Sequence, residues 1–146
     1  MSHWLYKGDE FLDSPEDYFG FVYLITNIKS GKKYIGRKYF GTTRRVKVKG
    51  KKRRKVIRKD SNWKEYTGSS KSLNSDIENL GKKNFIFEIL ILGETKGQVN
   101  YLEENLHHRY HVSSKPEYYN DCIGPRRFAR VRFTVNVENQ INEIKL

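Results

Sequence analysis

Residues 20–37 read GFVYLITNIKSGKKYIGR. The first eight are rich in β-branched and aromatic types, the composition of a strand. Residues 27–33 (NIKSGKK) are polar and carry Gly31, which suits a hairpin loop. Residues 33–37 (KYIGR) then read as the returning strand. Tyr23 falls in the first strand, Tyr34 in its partner, and Gly36 shortly after Tyr34.

Working outward, residues 85–92 (FIFEILIL) are apolar on both faces, as in a buried central strand. Ser70 can cap a helix running to Leu80, because Leu73, Ile77 and Leu80 fall at i, i+4 and i+7 and Gly81 sits where a terminating glycine belongs. A second helix spans about residues 96–110, with Val99, Leu102 and Leu106 as its apolar stripe. Residues 1–18 read as a polar lead-in, with Ser14, Pro15, Glu16 and Asp17 resembling a helix start. Residues 130–135 alternate and read as a further strand in a tail over 122–146. The expected fold is α+β: a small, largely antiparallel three-stranded sheet flanked by helices, over residues 19–121. A basic β-hairpin is inserted at 41–60.

The chain has 146 residues with 14% aromatic content, enough for one domain with a packed core. A single cysteine, Cys122, excludes an internal disulfide framework and an all-cysteine zinc site. It reads as a buried spectator. No apolar run approaches the roughly 18 residues of a membrane span. Residues 1–20 lack the basic start and apolar centre of a signal peptide. The expectation is a soluble protein of a reducing compartment.

Net charge is +12, and its distribution is uneven. Residues 44–59 hold eleven basic residues and no acid, so they supply +11. These are Arg44, Arg45, Lys47, Lys49, Lys51, Lys52, Arg53, Arg54, Lys55, Arg58 and Lys59. A neutral body with one dense cationic segment is the footprint of a polyanion binder. A solvated loop or localisation signal is the plainer reading. A membrane surface would need a broader apolar face than Val46, Val48, Val56 and Ile57 offer. Val46 to Lys49 alternate and Gly50 invites a turn, hence the hairpin, a shape that fits a DNA groove. Arg126, Arg127, Arg130 and Arg132 form a smaller group, either a solvated tail or extra phosphate contacts.

On the second helix, Glu103 lies about 40° from Val99 and beside Leu106, whereas Glu104 points to water. A carboxylate at the edge of a buried face needs a partner, either a salt bridge or a divalent cation such as Mg²⁺. His107 and His111 follow Glu103 at i+4 steps, with His108 adjacent, a spacing that can bind zinc. The helix has no HExxH pattern, and its histidines drift toward an exposed side, so a solvated face is the simpler reading. Tyr23 and Tyr34, taken alone, are packing residues.

Taken together, these residues resemble the GIY-YIG nuclease superfamily. Gly20-Phe21-Val22-Tyr23 and Lys33-Tyr34-Ile35-Gly36 are similar to its paired strands, with the first triplet altered and the second intact. Leu102-Glu103-Glu104-Asn105-Leu106 is similar to its metal-binding helix, and Asn120 to the asparagine that closes the domain. Trp63 to Ser69 (WKEYTGS) and Tyr118-Tyr119-Asn120 further resemble small endonuclease-like proteins of tailed bacteriophages.

The resemblance implies hydrolysis of a DNA phosphodiester with one divalent metal, Mg²⁺ or Mn²⁺, held by Glu103. Tyr23 or Tyr34 would act as or position the general base; a nearby cation or the metal would lower the tyrosine pKa, or the proton would be relayed through water, and the Lys and Arg near Tyr34 suit such lowering. Tyr66 would fill a supporting role, and Asn120 would support the site. The family's first-helix arginine has no counterpart, since Asn62 stands four residues before Tyr66. The cation would then come from Lys38 or Arg58, with Lys64, Arg37 and Arg44 as alternatives. The partner would be double-stranded DNA, gripped by Arg44, Arg45, Lys47, Lys49, Lys51, Lys52, Arg53, Arg54 and Lys55. Homing or DNA processing by a monomer or weak dimer fits, in a bacterial cytoplasm if the chain is phage-encoded. The alternatives are a catalytically silent DNA-binding module and a basic structural protein.

Overall fold

The computed structural model describes residues 2–12, 16–124, 128 and 131–146, with backbone alone for 42–45 and 56–58. The elements in chain order are β1 (Trp4–Tyr6), β2 (Asp9–Glu10), β3 (Gly20–Asn27), β4 (Lys33–Tyr39), β5 (Gly41–Val46), β6 (Lys55–Asp60), α1 (Lys71–Leu80), β7 (Phe85–Gly93), α2 (Lys96–Arg109) and α3 (Val135–Glu143).

The β3–β4 hairpin forms as expected and pairs Tyr23 with Gly36 and Ile25 with Tyr34. β7 pairs antiparallel with β3 and is central in the order β2-β1-β7-β3-β4. The sheet is therefore five-stranded and mixed, not three-stranded and antiparallel, because β1 lies parallel to β7 and β2 folds back on β1. Trp4 explains the addition. It is fully buried among Phe21, Tyr23 and Phe87, and its indole N–H donates to the Trp63 carbonyl at 2.6 Å. A large aromatic gains most from such burial, and its N–H finds a partner there. Residues 16 and 17 lie in a turn; Ser14 and Pro15, the rest of the expected helix start, lie outside the described residues.

The sheet divides two cores. One face carries Phe21, Tyr23, Ile25, Phe87 and Ile89 against Leu73 of α1. The other carries Val22, Leu24, Ile35 and Ile91 against Val99, Leu102 and Leu106 of α2. Beside Tyr23 the β3–β7 register slips, so Val22 faces Ile91 and Tyr23 faces Ile89. That bulge shifts β7's inward alternation by one residue.

Both central helices are capped, α1 by Ser70 as the sequence implies and α2 by Thr95. Ser70 Oγ accepts from Leu73 N–H, Thr95 Oγ1 accepts from Gln98 N–H, and Gly81 ends α1 at φ +90°. The C-terminal residues differ from expectation: 131–134 form no strand, and α3 follows. Thr134 caps α3, while Val137, Gln140 and Ile144 are buried at helical spacing. Gln140 hydrogen-bonds both the N–H (2.8 Å) and the carbonyl (3.2 Å) of Leu92 on β7. Cys122 is exposed, contrary to its expected burial, because the chain is leaving the core there. Among the described residues, no helix is long and apolar enough to cross a membrane.

Candidate active site

β4 is the edge strand of the sheet, and three separate parts of the chain converge on it. Lys33 N–H donates to the Glu117 carbonyl (2.8 Å), and Tyr119 N–H donates to the Lys33 carbonyl (2.7 Å). The Asn120 side chain then continues the ladder. Its Oδ1 accepts from Ile35 N–H at 3.1 Å and its Nδ2 donates to the Ile35 carbonyl at 2.9 Å. A buried side-chain amide thus replaces a neighbouring strand at the middle residue of the Tyr34-Ile35-Gly36 triplet. Unpaired backbone at an edge is costly when buried, so this clamp supports the site without touching the tyrosines.

α2 lies antiparallel along the same strand. Tyr39 Oη donates to Asn100 Oδ1 (2.5 Å), Arg37 Nε lies 3.3 Å from Glu103 Oε1, and His107 Nε2 donates to the Ile35 carbonyl (2.8 Å). Glu103 therefore borders the core, as its spacing predicts. His107 is buried, contrary to the expected solvated face, because its ring N–H satisfies the Ile35 carbonyl. His108 and His111 are exposed. Glu104 is half-buried rather than facing water, and its Oε1 is enclosed without a hydrogen bond. Phe128 and Phe133 pack on Tyr101 one turn earlier, so this side of α2 is covered.

The tyrosines occupy the α1 side of the sheet. Tyr23 is 1% exposed, and its ring lies against Gly36. A Cβ at position 36 would fall 2.6 Å from Tyr23 Cζ and 2.9 Å from Tyr34 Cε1, so only glycine fits. Gly68, at φ +86°, closes the same space from the loop before α1. The Tyr23 ring centroid is 6.1 Å from that of Tyr34 and 6.3 Å from that of Tyr66. Tyr34 Oη and Ser69 Oγ share a hydrogen bond of 3.3 Å.

Burial pushes the Tyr23 pKa well above its usual value and raises that of Tyr34, and the Glu103 charge adds to both. The expected lowering by neighbouring cations is thus reversed: desolvation of the phenolate outweighs the lysines and arginines.

The candidate cations separate. Arg37 reaches Glu103, and its guanidinium lies 5.0 Å from the Tyr39 ring centroid. Lys38 points to the other face, with Nζ 4.1 Å from the Tyr66 ring centroid, and desolvation lowers its pKa. Lys64 is exposed, lying over Trp63. Arg44, Arg45 and Arg58 lie outside the residues whose side chains are described, and Arg126, Arg127 and Arg130 lie outside the described residues. Lys47, Lys49, Lys51, Lys52, Arg53, Arg54 and Lys55 are all exposed around the far end of the β5–β6 hairpin.

Glu103 offers hard carboxylate oxygen, the donor type that suits Mg²⁺ or Mn²⁺. Among the described residues, no cluster of three His, Cys, Asp or Glu forms a protein cage. Mg²⁺ keeps several waters and shares substrate phosphates, so one carboxylate is a fitting protein contribution.

Paired tyrosines around a glycine on an edge strand, with a helix carboxylate alongside, are the arrangement that the resemblance to the GIY-YIG nucleases implies. The family described as "Putative endonuclease segE, GIY-YIG domain" matches residues 4–123. The chain belongs to this GIY-YIG family. The comparisons with curated proteins and with solved structures found no match. The matched residues include β1 and end before α3.

Proposed function

We propose that this protein is a divalent-metal-dependent endonuclease that hydrolyses phosphodiester bonds in double-stranded DNA. The observation that carries the reading is the arrangement around β4. Glu103 approaches that strand from α2, and Tyr23 and Tyr34 meet at its Gly36. The strand then leads into a hairpin holding nearly all the net charge.

Mg²⁺ or Mn²⁺ held by Glu103 would supply Lewis acidity toward the phosphate and lower the pKa of a bound water. Tyr34 is a neutral phenol in the free protein and acts by orienting the attacking water and relaying its proton, with Ser69 fixing the hydroxyl. Tyr23 is too enclosed to exchange protons readily and holds the Tyr34 ring in place. Arg37 is the cation best placed for phosphate charge, because it already lies beside Glu103. Lys38 steadies Tyr66.

The test is nicking of supercoiled plasmid at low salt, with and without Mg²⁺. Wild-type protein should nick only with metal. Glu103→Ala should lose at least a hundredfold in rate while duplex affinity stays within about twofold. Arg37→Ala should lose a comparable factor and Lys38→Ala much less. Undiminished cutting by Glu103→Ala would remove the metal assignment. Tight binding without cutting, across metals and substrates, would replace the enzyme with a silent DNA-binding module.

A further inference from the structure

We propose that the β5–β6 hairpin is a one-sided DNA arm that sets where the duplex is cut. It grips the backbone about half a helical turn from the scissile phosphate, on one side of it only. The inference rests on the endonuclease reading and adds the shape of the substrate.

Three observations carry it. Residues 44–59 hold +11 of the net +12, so the rest of the chain is nearly neutral and the long-range attraction to phosphates comes mainly from this segment. Most of the affinity therefore resides in the arm, and the site meets DNA chiefly where the arm has placed it.

The root of the arm is fixed in the core. Phe40, between β4 and β5, is 0% exposed, with ring centroids 5.2 Å from Phe21 and 5.1 Å from Trp63. Ser61, just past β6, donates its N–H to the Phe40 carbonyl (2.9 Å) and its hydroxyl to the Tyr39 carbonyl (2.6 Å). The two feet are thus tied to each other and to the strand that bears Arg37 and Lys38. Tyr66 follows the second foot. An arm rooted this way has a set distance from the site.

Its reach follows from geometry. β5 and β6 have six residues each. At about 3.3 Å per residue they extend ~20 Å, close to six nucleotides at about 3.4 Å along one strand. Lys47, Lys49, Lys51, Lys52, Arg53 and Arg54 sit around the far turn and are all exposed. A two-stranded ribbon fits the major groove, about 12 Å wide. The arm leaves from the end of β4 at Tyr39, so its cations extend to one side of the site.

The experiment maps cuts by wild-type protein along an end-labelled duplex of about four helical turns, with Mg²⁺ at low salt. Because the two strands are antiparallel, a one-sided arm gives the same polarity on both. Cuts should approach one chemical end of each strand closely and stop about six nucleotides short of the other. Replacing Lys51, Lys52, Arg53 and Arg54 together by serine should lower total cutting and shorten this exclusion zone in the cuts that remain at raised protein concentration, and circular dichroism checks the fold. Cuts that approach both ends equally, or stop equally short of both, overturn the inference while leaving the endonuclease standing. An absence of cutting anywhere overturns the endonuclease reading, and the offset with it.

Discussion

Gly36 stands opposite Tyr23 in the β3–β4 ladder, and the tyrosine ring fills the space where a side chain at 36 would lie. The pairing explains why a tyrosine on one strand and a glycine on the next belong together. The tyrosine lies over its neighbour's backbone, and the closeness buries its hydroxyl. Tyr34 and Gly68 pack close around it.

Gly36→Ala should therefore be damaging despite its small size. The added methyl meets Tyr23 and Tyr34, and overpacking of this kind costs about 1–3 kcal/mol. Urea unfolding should show that loss, together with reduced cleavage as the tyrosines shift. An equally stable Gly36→Ala protein would mean that the rings move aside freely.

Asn120→Ala removes both hydrogen bonds to Ile35 and should cost about 1–3 kcal/mol. His107→Ala removes the other bond to the Ile35 carbonyl. Because the two side chains share that acceptor, the double variant should not be the sum of the singles, with a coupling of about 0.5 kcal/mol or more. Strict additivity in denaturant titrations would show that Ile35 is not their common point.

Trp4→Ala should cost about 3–5 kcal/mol, since the indole is fully buried and its N–H is paired. A chain lacking residues 1–10 should show a similarly lowered melting temperature. A truncated chain that melts with wild type would make β1 an ornament of the sheet.

Stability should fall at both ends of the pH range. Folding raises the pKa of Tyr23 and Tyr34 above 10.0, so the unfolded chain loses those protons first as pH rises. Their contribution is complete below pH 10 and is lost above it. His3 moves the other way, from 6.5 to about 4, through burial and the Lys82 charge. The unfolded chain then binds the extra proton, and stability falls as pH drops from 6.5 toward 4. His3→Gln should flatten the acid limb in melting curves, and an unchanged limb would place that titration elsewhere. Because Tyr34 relays the proton as a neutral phenol with a pKa raised above 10.0, the cleavage profile from pH 6 to 9 should show no inflection that Tyr34→Phe removes.

Much of this arrangement was legible in the residues themselves. Local chemistry sets the β3–β4 hairpin, the two capped helices and the apolar β7, because strand composition, caps and helical spacing act between near neighbours. The turn at Gly50 in the basic insertion is equally local, although the alternating residues 47–49 lie in the loop and not in β5, which ends at Val46. Even the approach of Glu103 to the core follows from 100° per residue. Other features depended on partners distant in the chain. Trp4 reads as part of a polar segment until β7 offers a parallel edge and Trp63 a carbonyl. His107 and Asn120 are ambiguous polar residues until both meet Ile35, 72 and 85 positions away. The tyrosine pKa illustrates the same division. Counting nearby lysines and arginines predicts a lowered value, whereas burial raises it, and burial is a property of the packed fold. Sequence alone determined the elements and the residue types available for chemistry. Tertiary structure decided which of them share β4, because hydrogen bonds and desolvation depend on distances that only packing sets.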